Sequence, residues 1–101
     1  MTLERDIVRS IVRLAEKRGY WAMKIHGGPY QRSGIPDLLV LRQGRAAWLE
    51  VKRPGRRATP LQARTMRDIA IRGGCPAEVV TSRQEASEFF DRFERGENVR
   101  H

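Results

Sequence analysis

Asp37, Glu50 and Lys52 are the residues whose types and spacing can do chemistry. Asp37 follows Pro36, and a single residue, Val51, separates Glu50 from Lys52. In an extended segment alternate side chains share a face, so Glu50 and Lys52 point one way and Val51 the other. Residues 38–41 and 46–49 are apolar and of strand length, and Gln43-Gly44 between them is a tight-turn signal. A two-residue turn flanked by Arg42 and Arg45 sets Leu41 opposite Ala46, Leu39 opposite Trp48, and Asp37 opposite Glu50. Acids so placed, with Cβ atoms roughly 4.5–5.5 Å apart, repel each other and need a compensating charge. Lys52 is one compensator. A hard divalent cation, Mg²⁺ or Mn²⁺, is the other. Two carboxylates, a cation and an amine fit metal-assisted cleavage of a phosphodiester, in which the cation polarises the phosphoryl oxygen and acidifies water. Lys52 would orient or deprotonate that water, or steady the charge of the transition state.

The elements that must position this group follow from periodicity. Leu3, Ile7, Ile11, Leu14 and Ala15 recur at helical spacing, which predicts a first helix to about Arg18, with Thr2 as N-cap candidate and Gly19 as its stop. Glu4 and Asp6 in its first turn complement the helix dipole. Residues 20–25 alternate as a strand, with Trp21, Met23 and Ile25 on one face. Residues 26–36 are rich in Gly and Pro and predict a loop that carries His26, Tyr30 and Arg32. Tyr30 and Arg32 could stack on a base or touch phosphate, or be incidental surface groups. Both faces of the 38–51 hairpin are apolar, so helices are expected on both, with the acids at the end where the cover stops. The turn after Lys52 holds Arg53, Arg56 and Arg57; it could be a solvated charge run, but its place beside the acids favours phosphate contact. Thr59-Pro60 starts a second helix, closed by Gly73-Gly74, whose first turn carries Gln62 within possible reach of the site. Residues 76–81 predict a fourth strand. Ser82 to Glu85 has the form of a capping box ahead of a last helix with Ala86, Phe89, Phe90 and Phe93 as its buried stripe, ending at Gly96. The order is helix, three strands, helix, strand, helix.

Composition narrows the chemistry. The 101 residues suit a single domain over 1–96 with a frayed tail at 97–101. A net charge of +8 and a pI near 11.0 suit a polyanionic partner, DNA or RNA. Nothing hints at a sugar cleft with an acid of raised pKa, so glycoside hydrolysis is disfavoured. One cysteine, Cys75, and two histidines far apart in sequence make no standard zinc site and no internal disulfide. The apolar stretches are too short for a membrane span, and the charged start lacks a signal-peptide core, which predicts an intracellular, cytoplasmic protein.

The sequence Ser33-Gly34-Ile35-Pro36-Asp37, the strand Trp48-Leu49-Glu50-Val51-Lys52 and the segment Thr59-Pro60-Leu61-Gln62, behind a helix bearing Glu4, together resemble the PD-(D/E)xK nuclease superfamily. More closely, the chain resembles the virus-type replication-repair nuclease (VRR-NUC) family in its small stand-alone form, over roughly residues 3–80. The resemblance implies a restriction-endonuclease-like α/β (mixed α+β) fold, an αβββαβ core with a mixed four-stranded sheet and a C-terminal helix. It implies a metal-dependent DNA endonuclease in which Glu4, Asp37, Glu50 and the Val51 carbonyl hold Mg²⁺ or Mn²⁺, Lys52 is the catalytic lysine and Gln62 an accessory residue. It also implies likeness to Holliday-junction resolvases, hence branched DNA as substrate, a homodimer with two symmetric sites, and a bacterial or phage-infected cell. A noncatalytic nucleic-acid-binding module, or a nuclease subunit that needs a partner for substrate choice, are the competing readings.

Overall fold

A computed structural model describes residues 3–27 and 32–97. The elements follow the expected order: α1 (Glu4–Lys17), β1 (Trp21–Lys24), β2 (Leu38–Arg42), β3 (Arg45–Val51), α2 (Pro60–Gly73), β4 (Ala77–Val80) and α3 (Arg83–Glu94). The sheet order is β1-β2-β3-β4, antiparallel through the first three strands and parallel between β3 and β4, which α2 connects. This is the mixed, four-stranded α+β arrangement expected.

The central hairpin has the register that its turn dictates. Arg42 pairs with Arg45, Leu41 with Ala46 and Leu39 with Trp48. Gln43 (φ 51) and Gly44 (φ 79) both have positive φ, the type I′ requirement that matches the twist of the flanking strands. No extra residue shifts the pairing between the turn and Leu38.

One face of the sheet forms the core. Leu38, Val40, Ala47, Leu49, Val51 and Val80 are buried against Ile7, Val8, Ile11 and Ala15 of α1 and Ala86, Phe89, Phe90 and Phe93 of α3. Fully burying a side chain of this size contributes roughly 1.5–3 kcal/mol, so this layer supplies most of the driving force for folding. Tyr20 joins it, and its hydroxyl donates to Glu94, whose carboxylate also accepts from Arg18.

The opposite face departs from expectation. Met66 and Ala70 of α2 lie beside Ala77 and Val79 of β4, but among the described residues α2 packs chiefly on β4 and α1 meets β1 from the core side, so no helix covers this face of β1. Trp21 (55% exposed), Met23 and Leu41 therefore lie bare. Cover on both faces was the expectation; a single crossover helix of 14 residues, tied to the β3–β4 side by its connections, is too narrow to span four strands.

The caps differ in detail. The N-cap of α1 is Leu3 and makes no side-chain bond; the expected cap, Thr2, lies outside the described residues. The capping box expected at Ser82 is half formed. Ser82 accepts from the Glu85 N–H, but the Glu85 carboxylate reaches past Ser82 to the N–H and hydroxyl of Thr81. The Thr81 hydroxyl offers that carboxylate a second donor, which a lone backbone N–H at Ser82 does not.

Candidate active site

The acids gather where β2 begins and β3 ends. Asp37 stands one residue ahead of β2, just outside the ladder, because Pro36 has no N–H to continue it. Its carbonyl still accepts from Ile25 N–H at 2.7 Å. Its side chain crosses to β3, where Oδ2 accepts from the Val51 N–H at 2.8 Å. Asp37 is thus held at both ends.

Glu50 is 2% exposed, one of two buried polar residues among those described. Its Oε2 accepts from Gln62 Nε2 at 3.1 Å and lies 3.3 Å from Lys52 Nζ. Its Oε1 is buried with no hydrogen-bond partner among the described residues. Burial pushes the Glu50 carboxyl up to about 7, the Asp37 charge adds to that rise, Lys52 opposes it, and Glu4 adds a smaller upward push. An orphaned, buried carboxylate oxygen loses hydration without recompense, unless a cation supplies the missing partner.

Gln62 is fixed by its helix start. Thr59 accepts from the Gln62 N–H at 3.1 Å while Gln62 Oε1 accepts from the Thr59 N–H at 2.9 Å, a complete capping box. With its oxygen so engaged, the amide turns its nitrogen to Glu50. The pattern Thr-x-x-Gln is the sequence signal for this reciprocal bond, and it explains the aim of Gln62 better than proximity alone.

The loop that delivers Asp37 is pinned to the same helix. Gly34 has φ +84, and a Cβ there would lie 2.8 Å from Thr65 Oγ1 and 3.0 Å from Leu61 Cγ. Only glycine allows both this backbone and this approach. Gly34→Ala is expected to lower stability by roughly 2 kcal/mol, the sum of left-handed strain and overpacking, seen as a fall in melting temperature of about 8 °C or more.

Of the other residues singled out in sequence, Val51 ends β3 between Glu50 and Lys52, buried, with its N–H on Asp37. Glu4 is the first residue of α1, half-buried, and near enough to raise Glu50. Among the described residues no three acids, histidines or cysteines stand close enough to form a metal cage. Asp37 is held on the Val51 N–H, and Glu50 on Lys52 and Gln62. The donor set, two hard carboxylates with one oxygen unpartnered, still fits Mg²⁺ or Mn²⁺. Arg32 is exposed and, with Ile25, Ser33, Gly34 and Asp37, lines a cleft of about 280 Å³. Arg56 and Arg57 are exposed on the turn after Lys52, and Arg53 is half-buried. Tyr30 lies outside the described residues.

A buried Glu50, a half-buried Asp37 and an adjacent lysine, presented together at one end of a mixed sheet, are an arrangement suited to holding a cation beside a phosphodiester. Comparison with known proteins agrees. A family profile for the VRR-NUC domain matches residues 5–84. A solved structure described as a VRR_NUC domain superposes with a TM-score of 0.76 at 26% identity, over 92% of this chain and 99% of that one. The Holliday junction resolvase Hjc of the archaeal hyperthermophile Archaeoglobus fulgidus shares the fold, with a TM-score of 0.63 at 17% identity over 77% of this chain and 67% of that one. A search of curated protein sequences found no match. The chain belongs to the VRR-NUC family.

Proposed function

We propose that the protein is a divalent-metal-dependent, structure-specific DNA endonuclease of resolvase type, acting on branched DNA as a homodimer. The observation that carries this reading is Glu50, a buried carboxylate with one oxygen unpartnered among the described residues, beside Asp37 and Lys52. Asp37, Glu50, Glu4 and the Val51 carbonyl would hold Mg²⁺ or Mn²⁺, which supplies Lewis-acid polarisation of the phosphodiester and activation of water. The chain's own residues do the rest. Val51 N–H fixes Asp37, and Gln62 fixes Glu50. Lys52, a point cation at 3.3 Å from Glu50, stands ready to orient the nucleophile and steady the developing charge. Arg32, Arg53, Arg56 and Arg57, with Tyr30, hold the flanking phosphates and bases. The bare sheet face at Trp21, Met23 and Leu41 supports an assembled form, since contiguous exposed apolar surface marks interaction sites.

The test is cleavage of labelled four-way junction, flap and linear duplex with Mg²⁺ or Mn²⁺, with EDTA as the control. Wild type should cut the branched substrates only with metal and sediment as a dimer, and Asp37→Asn should not cut. The same pair of proteins gives a second readout. Without metal, Asp37→Asn should melt at or above the wild-type temperature, because its side-chain oxygen still accepts from Val51 N–H while the repulsion with Glu50 is relieved. Metal should raise the melting temperature of wild type and leave the variant unmoved. No cleavage by wild type of any substrate would count against a catalytic role and for a binding module.

A further inference from the structure

Four cations on α1 reach no side-chain partner among the described residues. Arg5, Arg9, Arg13 and Lys17 recur at every fourth residue, all are exposed, and among the described residues none makes a side-chain hydrogen bond, an ion pair or a ring contact. They lie opposite the buried Ile7, Val8, Ile11 and Ala15. Arginines that do serve the fold are visibly engaged. Arg18 binds Asp91 at 2.7 Å and Glu94 at 2.9 Å, Arg42 donates to the Arg18 carbonyl, Arg45 donates to Phe93 and stands 4.0 Å over its ring, and Arg92 pairs with Glu78.

Like charges four residues apart destabilise a helix, and alternating sign would stabilise it. Asp6 and Glu16 share this outer face yet pair with none of the four among the described residues. Lys17, in the last turn, complements the helix dipole, but Arg5, Arg9 and Arg13 gain nothing from the helix in the free chain, and the use of the stripe as a whole lies in something bound. At a rise of 1.5 Å per residue the stripe spans about 18 Å, facing about five phosphates of one strand of a duplex that advances 3.4 Å per phosphate. It begins one residue past Glu4, whose charge reaches Glu50, and leads away from the acids.

Direction decides the substrate. The chain reverses after α1 at residues 18–20, and β1 then runs back until Ile25 pairs with Asp37. The stripe thus follows the flank of the domain, whereas the acids, Arg32 and the 53–57 turn sit at its end. A duplex held at the acids must change direction to follow α1, and DNA arms that leave a branch point do so.

We infer that Arg5, Arg9, Arg13 and Lys17 form a phosphate track for a second arm of branched DNA. The inference rests on the proposed nuclease reading. It is tested by binding of a labelled four-way junction and of a linear duplex of one arm's sequence, in metal-free buffer over a range of salt. The variant carries Arg5→Gln, Arg9→Gln, Arg13→Gln and Lys17→Gln; a charge-matched control carries Arg64→Gln, Arg67→Gln, Arg72→Gln and Arg83→Gln, four exposed cations elsewhere. The stripe variant should bind the junction at least tenfold more weakly and the linear duplex within twofold of wild type. Its salt slope on the junction should fall by roughly 3 to 4, for four lost phosphate contacts. Its melting temperature should stay within a few degrees of wild type, because glutamine is as good a helix former and the repulsion relieved offsets the dipole contribution lost at Lys17. Equal losses on both substrates, an equal loss in the control, or junction binding as tight as wild type would overturn the track, whatever the wild-type chain cleaves. A wild-type chain that binds no DNA would instead overturn the nuclease reading on which the track depends.

Discussion

Lys52→Met will lower the rate of metal-dependent DNA cleavage by about 10² to 10⁴-fold, the range a positioned proton-transfer group supplies. The side chain is 15% exposed, its stem packed, and methionine preserves that packing while removing the cation. Two effects then have to be separated. Lys52 is the group that opposes the upward push on Glu50, so its loss leaves Glu50 still more protonated near pH 7 and weakens metal binding as well. That indirect effect fades at high pH, where Glu50 is ionised with or without its neighbour. Single-turnover cleavage at saturating metal should therefore show two components: part of the loss recovers between pH 7 and pH 9, and the remainder persists. The persistent part measures what Lys52 does at the reacting phosphate. Full recovery by pH 9 would reduce Lys52 to a charge that keeps Glu50 ionised, and the direct role would be withdrawn.

What the sequence made legible follows from how local each signal is. The hairpin register was readable because Gln43-Gly44 demands a two-residue turn, and that turn sets every pair back to Leu38. The helices were readable from Ile7, Ile11 and Ala15, from Thr59-Pro60, and from Phe89, Phe90 and Phe93. The meeting of Glu50 with Lys52 was readable too, since alternation alone places them on one face. Three features were not. The bond from Val51 N–H to Asp37 depends on the ladder stopping at Leu38, which Pro36 encourages but does not fix. The close approach of Gly34 to Thr65 and Leu61 joins segments about 30 residues apart and has no periodic trace. The bare face at Trp21 and Met23 was hidden because alternation shows which side chains share a face without showing how far a helix extends over it. Glu4 is intermediate: its helix was evident, but its repulsion of the Glu50 charge arises only once α1 is laid against the sheet.

Glu50→Gln is expected to abolish cleavage and, without metal, to make the protein more stable. The sign follows from linkage. In the unfolded chain Glu50 titrates near 4.5, while in the fold burial and Asp37 hold it up to about 7. Between those values the folded state binds the extra proton, so stability is full below about pH 4.5, falls as pH rises towards 7, and is level above. That difference corresponds to roughly 3 kcal/mol at most. The gain on substitution is smaller, because glutamine leaves Lys52 beside a neutral group and sets an amide nitrogen where Oε1 had no partner. About 1 to 2 kcal/mol at pH 8 is the expected gain, or about 4 °C or more in melting temperature. Thermal unfolding of the metal-free proteins from pH 4 to 9 checks it: the wild-type excess loss between pH 4.5 and 7 should vanish in Glu50→Gln. Added Mg²⁺ should then reverse the order, raising wild type by the linkage of binding to folding while the variant stays where it was. A variant less stable than wild type at pH 8 without metal would mean that the bonds from Gln62 and Lys52 outweigh the burial of the charge. The site would then be a structural polar cluster, not one held ready for a cation.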